Sequence, residues 1–183
     1  MKNNDFKTTF APTIVLVVIC LVITAALVFT NGATAPQIAK IAKENADATR
    51  AKVLAEADSF TEYTGDLNEG IAEVYMANNK SGMVVTSTSK SFGGTMTVMI
   101  GIDPNGAITG VEVTGHADTP GLGTKAMTPE FLAKYNGIQE LTAEKVKDQT
   151  VAPYVVGASV SSGGVYTAVK GALQQFADCG GVK

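Results

Sequence analysis

Between Lys7 and Lys40 the chain contains no Asp, Glu, Lys, Arg or His. Inside that gap, residues 11–30 form a twenty-residue run that is almost wholly apolar. As a helix rising about 1.5 Å per residue it reaches about 30 Å, the thickness of a bilayer hydrocarbon core. Buried helices of soluble proteins seldom stay apolar around every face for this length. Lys2 and Lys7 ahead of the run and Ala33-Thr34-Ala35 behind it also fit a cleavable signal peptide. The run is longer than the about 7–15 apolar residues of such a peptide, however, and Pro36 would follow the cut. A retained single-pass anchor is expected. Lys2 and Lys7 before the span nearly balance Lys40 and Lys43 after it. The uncharged residues that follow it favour a short cytoplasmic N-terminus at 1–10 and an exported domain.

The rest of the chain is polar and turn-rich, so the span explains why only 17% of residues are charged. A net charge of −3 and a pI near 5.1 argue against a nucleic-acid binder, which carries a basic face. Two cysteines without CxxC spacing and a single histidine argue against a dedicated zinc or iron–sulfur site.

Residues 36–58, rich in Ala, Lys and Glu, predict a helix that continues from the anchor as a stalk. Pro36 is tolerated in its first turn, and Ile38, Ile41, Val53 and Leu54 are able to face a partner. Short β-prone runs at 71–77, 83–89, 95–102 and 107–114 follow. The last two flank Asp103-Pro104-Asn105-Gly106, which suits a type I turn. Gly93, Gly94 and Gly101 suggest bulges or close backbone approach. Thr128-Pro129 opens a helix that stops at Gly137, and a last helix over 165–179, capped by Ser161 or Ser162, ends at Gly180-Gly181. The order reads helix, strands, helix, strand, helix, an α+β fold. The expected division is 1–10 cytoplasmic, 11–30 transmembrane helix, 31–60 stalk and 61–183 a single antiparallel-sheet domain with flanking helices.

Two loops stand out. His116-Ala-Asp-Thr-Pro-Gly-Leu-Gly123 combines a rigid Pro-Gly turn, glycines that let backbone approach a ligand and one leucine held exposed, although an ordinary turn accounts for it as well. Val156-Gly-Ala-Ser-Val-Ser-Ser-Gly-Gly164 places hydroxyls and small residues before a helix. That arrangement suits a phosphate or an ordinary serine cap.

The first loop resembles the H-x-E-T-P-G-L-G motif of the FMN-binding domain in the G subunit of the Rnf complex and the C subunit of the sodium-pumping NADH:quinone reductase. The second, Val156 to Ser162, is similar to that family's S-G-A-T-x-T-S attachment motif, with Val156 and Pro153 standing where the pattern has Ser or Thr and an acid. The likeness extends to the anchor, the helix after it and the strand–DPNG–strand unit. It implies one FMN per chain, joined through its phosphate to the Ser159 hydroxyl by a separate flavin transferase, with Ser161 as the other acceptor. The implied cofactor-binding residues are His116, Asp118, Thr119, Gly121, Leu122, Gly123 and Lys125, together with Gly157, Ala158, Val160, Ser161 and Ser162. Leu122 would cover an apolar ring face, Lys125 would face a reduced flavin or solvent, and His116 is read as a structural hydrogen-bonding residue. Tyr154 and Phe131 are expected in the core.

By the same resemblance the chain would be an electron-transfer subunit of an ion-translocating ferredoxin:NAD⁺ oxidoreductase, without substrate chemistry of its own. It would sit in the cell membrane with the FMN domain on the extracytoplasmic side, among lipid and the other membrane and iron–sulfur subunits. A component like the quinone reductase's C subunit, a free-standing extracellular FMN shuttle and a flavin-free structural anchor remain open.

Overall fold

The structure, a computed structural model, describes residues 10–182. The expected N-terminal segment at 1–10 lies outside the described residues except for Phe10. The chain divides into two units, Met1–Ala46 and Asp47–Lys183.

The described part of the first unit lies almost wholly in helix α1, Ala11–Val53, which holds Pro36 in its interior rather than at a first turn. Its apolar side chains are exposed on all faces, with Leu21, Val28 and Phe29 at 65%, 68% and 80% exposure. Among the described residues α1 is the one helix long and apolar enough to cross a membrane, so a bilayer is the solvent its composition matches.

In the second unit the last turns of α1 are half of a packed joint. Val53 and Leu54, expected to face a partner, are buried within the domain itself. Gly101 and Gly110 pair across two strands. A Cβ on Gly101 would lie 2.2 Å from the Val53 carbonyl oxygen, and one on Gly110 2.9 Å from its Cα. The paired glycines thus form the seat on which the helix end rests. Arg50 adds an ion pair to Asp47 at 2.5 Å, another to Glu73 at 3.3 Å, and a stacked contact 3.7 Å above the Tyr75 ring. Burying Leu54 in this joint contributes about 2 kcal/mol.

Five antiparallel strands follow in sequential order: β1 (Phe60–Glu62), β2 (Ile71–Ala77), β3 (Met83–Ser91), β4 (Gly94–Ile102) and β5 (Ile108–Gly115). The four expected strands are present within two residues at each end, and the three-residue β1 is additional. Alternation sets the faces. Met96, Val98, Ile100 and Ile102 of β4 point into the main core. There they meet Val165, Tyr166, Val169, Ala172 and Leu173 of helix α3, Ser159–Asp178. Asp103 closes the β4–β5 turn by accepting from the amides of Asn105 and Ala107 at 2.8 and 2.9 Å.

The sequence reading also needs correction toward the C-terminus, where the helix expected to run from Thr128 to Gly137 is α-helical only over Pro129–Leu132. Among the described residues no strand lies between the short helix α2 (Pro129–Leu132, capped by Thr128) and α3. The intervening chain is irregular apart from 3₁₀ turns. The Tyr166 hydroxyl and Lys170 ammonium donate to the Ala143 carbonyl at 2.7 and 2.9 Å, which ties part of that chain to α3 instead of to the sheet. Helix α3 also begins at Ser159, six residues earlier than 165, so Ser161 and Ser162 lie inside it and cap nothing. Gly163 and Gly164 read as breakers in isolation, but a Cβ on Gly164 would lie 2.8 Å from the Lys90 carbonyl oxygen. Helix and sheet touch there only because that side chain is missing.

Candidate functional site

The first motif follows β5 and is tied down by one side chain. Asp118 is 5% exposed. Its carboxylate accepts hydrogen bonds from Ser91 Oγ at 2.5 Å, the Gly93 amide at 2.6 Å and Ser161 Oγ at 2.5 Å. Three separate pieces of chain, the β3–β4 hairpin, the loop after β5 and the start of α3, are thereby joined. Burial alone would raise the Asp118 pKa, but the bonds from Ser161, Ser91 and Gly93 and the nearby His116 outweigh it and hold the carboxyl below its usual range.

Two glycines are demanded by this clamp. A Cβ on Gly93 would lie 2.2 Å from the Ala117 carbonyl oxygen, and one on Gly123 2.5 Å from Asp118 Oδ2. Within the loop the Gly121 amide donates to Thr124 Oγ1 at 2.8 Å, and Leu122 stays 53% exposed.

The second motif is built from backbone turns. Gly157 takes φ +88°, a conformation that other residues adopt only with strain. The Ala158 amide donates to the Val155 carbonyl, and Ser162 Oγ accepts from the Val155 amide at 3.2 Å. Ser161 and Ser162 are buried, at 1% and 0% exposure, with their hydroxyls engaged inside the domain. Ser159 differs: it is exposed, and its Oγ lies 2.6 Å from the Tyr154 hydroxyl.

The two motifs share one cleft of ≈ 250 Å³. Its walls are Asp118, Thr119, Leu122 and Gly123 from the first, Gly157, Ala158, Ser159, Val160 and Ser161 from the second, and Phe92. His116, Gly121, Lys125 and Ser162 do not line it; His116 and Lys125 are exposed elsewhere on the surface. Phe131 is in the core as expected, edge-on to Tyr135 with ring centroids 6.2 Å apart. Tyr154 is not in the core but stands 36% exposed against Ser159.

The sequence reading missed Phe92, which sits 74% exposed at the tip of the β3–β4 hairpin. An aromatic before Gly-Gly at a hairpin tip was the available signal, because an apolar ring there has no core to enter. The chemistry of the cleft suits a flat apolar ring system with an anionic tail. Phe92, Leu122 and Val160 supply apolar surface, and Ser159 stands in the first turn of α3, where free amides and the helix dipole favour an anion.

The FMN-binding domain family matches residues 91–174, a span that opens on the clamp residue Ser91 and takes in both motifs. The G subunit of the Na(+)-translocating ferredoxin:NAD(+) oxidoreductase complex from Acetobacterium woodii is 30% identical over 138 residues, 67% of each chain. The chain belongs to this G-subunit family. A second member, the G subunit of the proton-translocating complex of Clostridium ljungdahlii, is 25% identical over 95% of both chains. The crystal structure of Shewanella oneidensis NqrC covers 70% of each chain with a TM-score of 0.46 and 20% identity. Membership in the G-subunit family bears out the resemblance drawn from the two motifs, and the observed α+β architecture is the one expected from it. Asp118, where the family motif has Glu, keeps a carboxylate, and in this chain the shorter arm is held by three donors.

Proposed function

We propose that this chain is the membrane-anchored electron-transfer subunit of an ion-translocating ferredoxin:NAD⁺ oxidoreductase complex and carries one FMN bonded to Ser159. The single observation that carries this reading is the exposed Ser159 hydroxyl on the wall of a cleft shared by both motifs. Of the three serines in the second motif, Ser159 alone is exposed. FMN, when bound, supplies one- and two-electron transfer.

The remaining roles belong to the chain. Phe92, Leu122 and Val160 shield apolar ring surface from water, the Thr119–Gly123 backbone borders it, and the first turn of α3 balances phosphate charge. Ser159 Oγ loses its proton as its bond to phosphorus forms. Direct condensation of a phosphate monoester with an alcohol is uphill in water, so the donor must be a phosphoanhydride such as a flavin dinucleotide. Its breaking P–O bond then releases a nucleoside monophosphate. A separate flavin transferase supplies that step, and the exposure of Ser159 leaves it reachable by a second enzyme.

Residues 11–30 form the transmembrane part and the next turns of α1 the stalk, with 1–10 in the cytoplasm and the domain, which takes in the packed end of α1 from Asp47 onward, on the extracytoplasmic side beside other membrane and iron–sulfur subunits. Covalent attachment keeps the cofactor in a compartment that holds no pool to replace it. Coexpression with a flavin transferase, followed by intact-mass measurement, tests the reading. One FMN adduct and fluorescence that survives denaturation are expected, and both should vanish in Ser159→Ala. An unmodified wild-type mass would overturn the assignment. Protease access to a tag placed after Gly180 in sealed vesicles reports the side of the membrane.

A further inference from the structure

Ser159 and Val160 stand on a partition between two clefts. On one side is the apolar cleft of Phe92 and Leu122. On the other is a second cleft of ≈ 290 Å³, whose lining includes Lys90, Lys145, Lys147 and Tyr154. Glu144 is its one acidic residue, so the balance of charge on its walls is positive in a chain that is acidic overall. Among the described residues none of the three lysines is in an ion pair.

The backbone that carries Lys145 and Lys147 is anchored, while the three lysine side chains stand exposed. Buried Val146 lies between Lys145 and Lys147, and the neighbouring Ala143 carbonyl is tied to α3 by Tyr166 and Lys170. Gly163 leaves the helix side of the cleft open, since a Cβ there would meet nothing within 4 Å. Tyr154 lines the second cleft and not the first, and its hydroxyl is the one bonded to Ser159 Oγ at 2.6 Å. The Ser159 hydroxyl is therefore bonded to a residue of the lysine-lined cleft.

We infer that the second cleft is a phosphate-ester site: Lys90, Lys145 and Lys147 bind the phosphoryl group of the flavin nucleotide, and Tyr154 turns the Ser159 hydroxyl toward it. Ring and phosphate then enter from opposite sides of the partition. This inference rests on the flavin reading above and adds a set of residues outside both motifs. Three ammonium groups around an anionic phosphoryl group favour it by charge-assisted hydrogen bonds, and the contribution weakens as salt rises.

The test uses full-length Ser159→Ala chain in detergent, where no bond can form, titrated with FMN and with riboflavin, which differ only in the phosphate. FMN is expected to bind about tenfold more tightly at low salt, with that preference reduced to about twofold in the Lys145→Gln/Lys147→Gln background and restored by arginine at both positions. Gly163→Leu, which fills the second cleft, is expected to lower FMN affinity and spare riboflavin. Equal affinity for the two flavins, binding of neither, or a preference unchanged by the lysine substitutions would overturn the site. The adduct mass on wild-type chain separates the two ideas. A normal adduct with no phosphate preference removes the lysine site alone, while an absent adduct removes the flavin reading.

Discussion

In the loop after β5, Asp118 is 5% exposed and takes three hydrogen bonds, whereas in the segment entering α3, Val156 is 87% exposed and the Ser159 hydroxyl meets a half-exposed tyrosine. One loop is locked to two other parts of the domain by a buried charge, and the other is shaped by local turns that leave the Ser159 hydroxyl at the surface. The contrast fits the two tasks proposed for these loops: a platform for a ring must not move, and an acceptor for a bulky activated donor must be reachable. Substitutions in the first loop should therefore be read out as stability, and those in the second as attachment.

The sharpest way to break this contrast is Asp118→Ala. It leaves two hydroxyls and an amide without their acceptor and should cost about 3 kcal/mol in denaturant melts, since buried hydrogen bonds to a charged group are among the strongest. Its pH dependence follows from the depressed pKa. The carboxyl contributes its full stabilisation above its unfolded value of about 4 and loses it as pH falls through the lower folded value. Wild-type stability minus that of Asp118→Asn should be flat from neutral pH to about 5 and shrink below about 4. A difference that grows on acidification would sink the clamp.

Gly123→Ala comes next, at about 2 kcal/mol, because its methyl would sit 2.5 Å from Asp118 Oδ2 and something must give. Ser161→Ala should cost about 1.5 kcal/mol yet keep the flavin adduct, as it removes one donor to Asp118 and not the acceptor hydroxyl. Loss of the adduct with an unchanged melt would reverse the roles given to the two serines. The smallest change in stability belongs to Tyr154→Phe, under about 0.5 kcal/mol for an exposed hydroxyl, but the rate of flavin attachment should fall about fivefold with Ser159 no longer held. An unaltered rate would show that the contact has no part in presenting the acceptor.

Much of the fold was legible because it depends on local pattern. The alternation of residues 95–102 and the Asp-Pro-Asn-Gly turn are satisfied by neighbours a few residues away, and they appear as expected. The start of α3 was not legible. Ser-Val-Ser-Ser-Gly-Gly has poor helix propensity, and the helix persists there because Gly164 closes against Lys90 and Ser161 is held by Asp118, contacts with partners 74 and 43 positions away. The exposure of Tyr154 is illegible for the same reason. An aromatic next to Pro153 says nothing of which side of the chain faces solvent.

The amino-acid order alone determined the apolar span, the β meander, the family and the two motifs, since each is a matter of spacing along the chain. Only the tertiary structure decided which serine stands exposed, that Asp118 is a clamp between three segments, and that Phe92 and three lysines line two clefts that share Ser159. Those facts turn on atoms distant in sequence that meet only after the sheet and α3 have packed together, and packing energy, not local preference, sets where they meet.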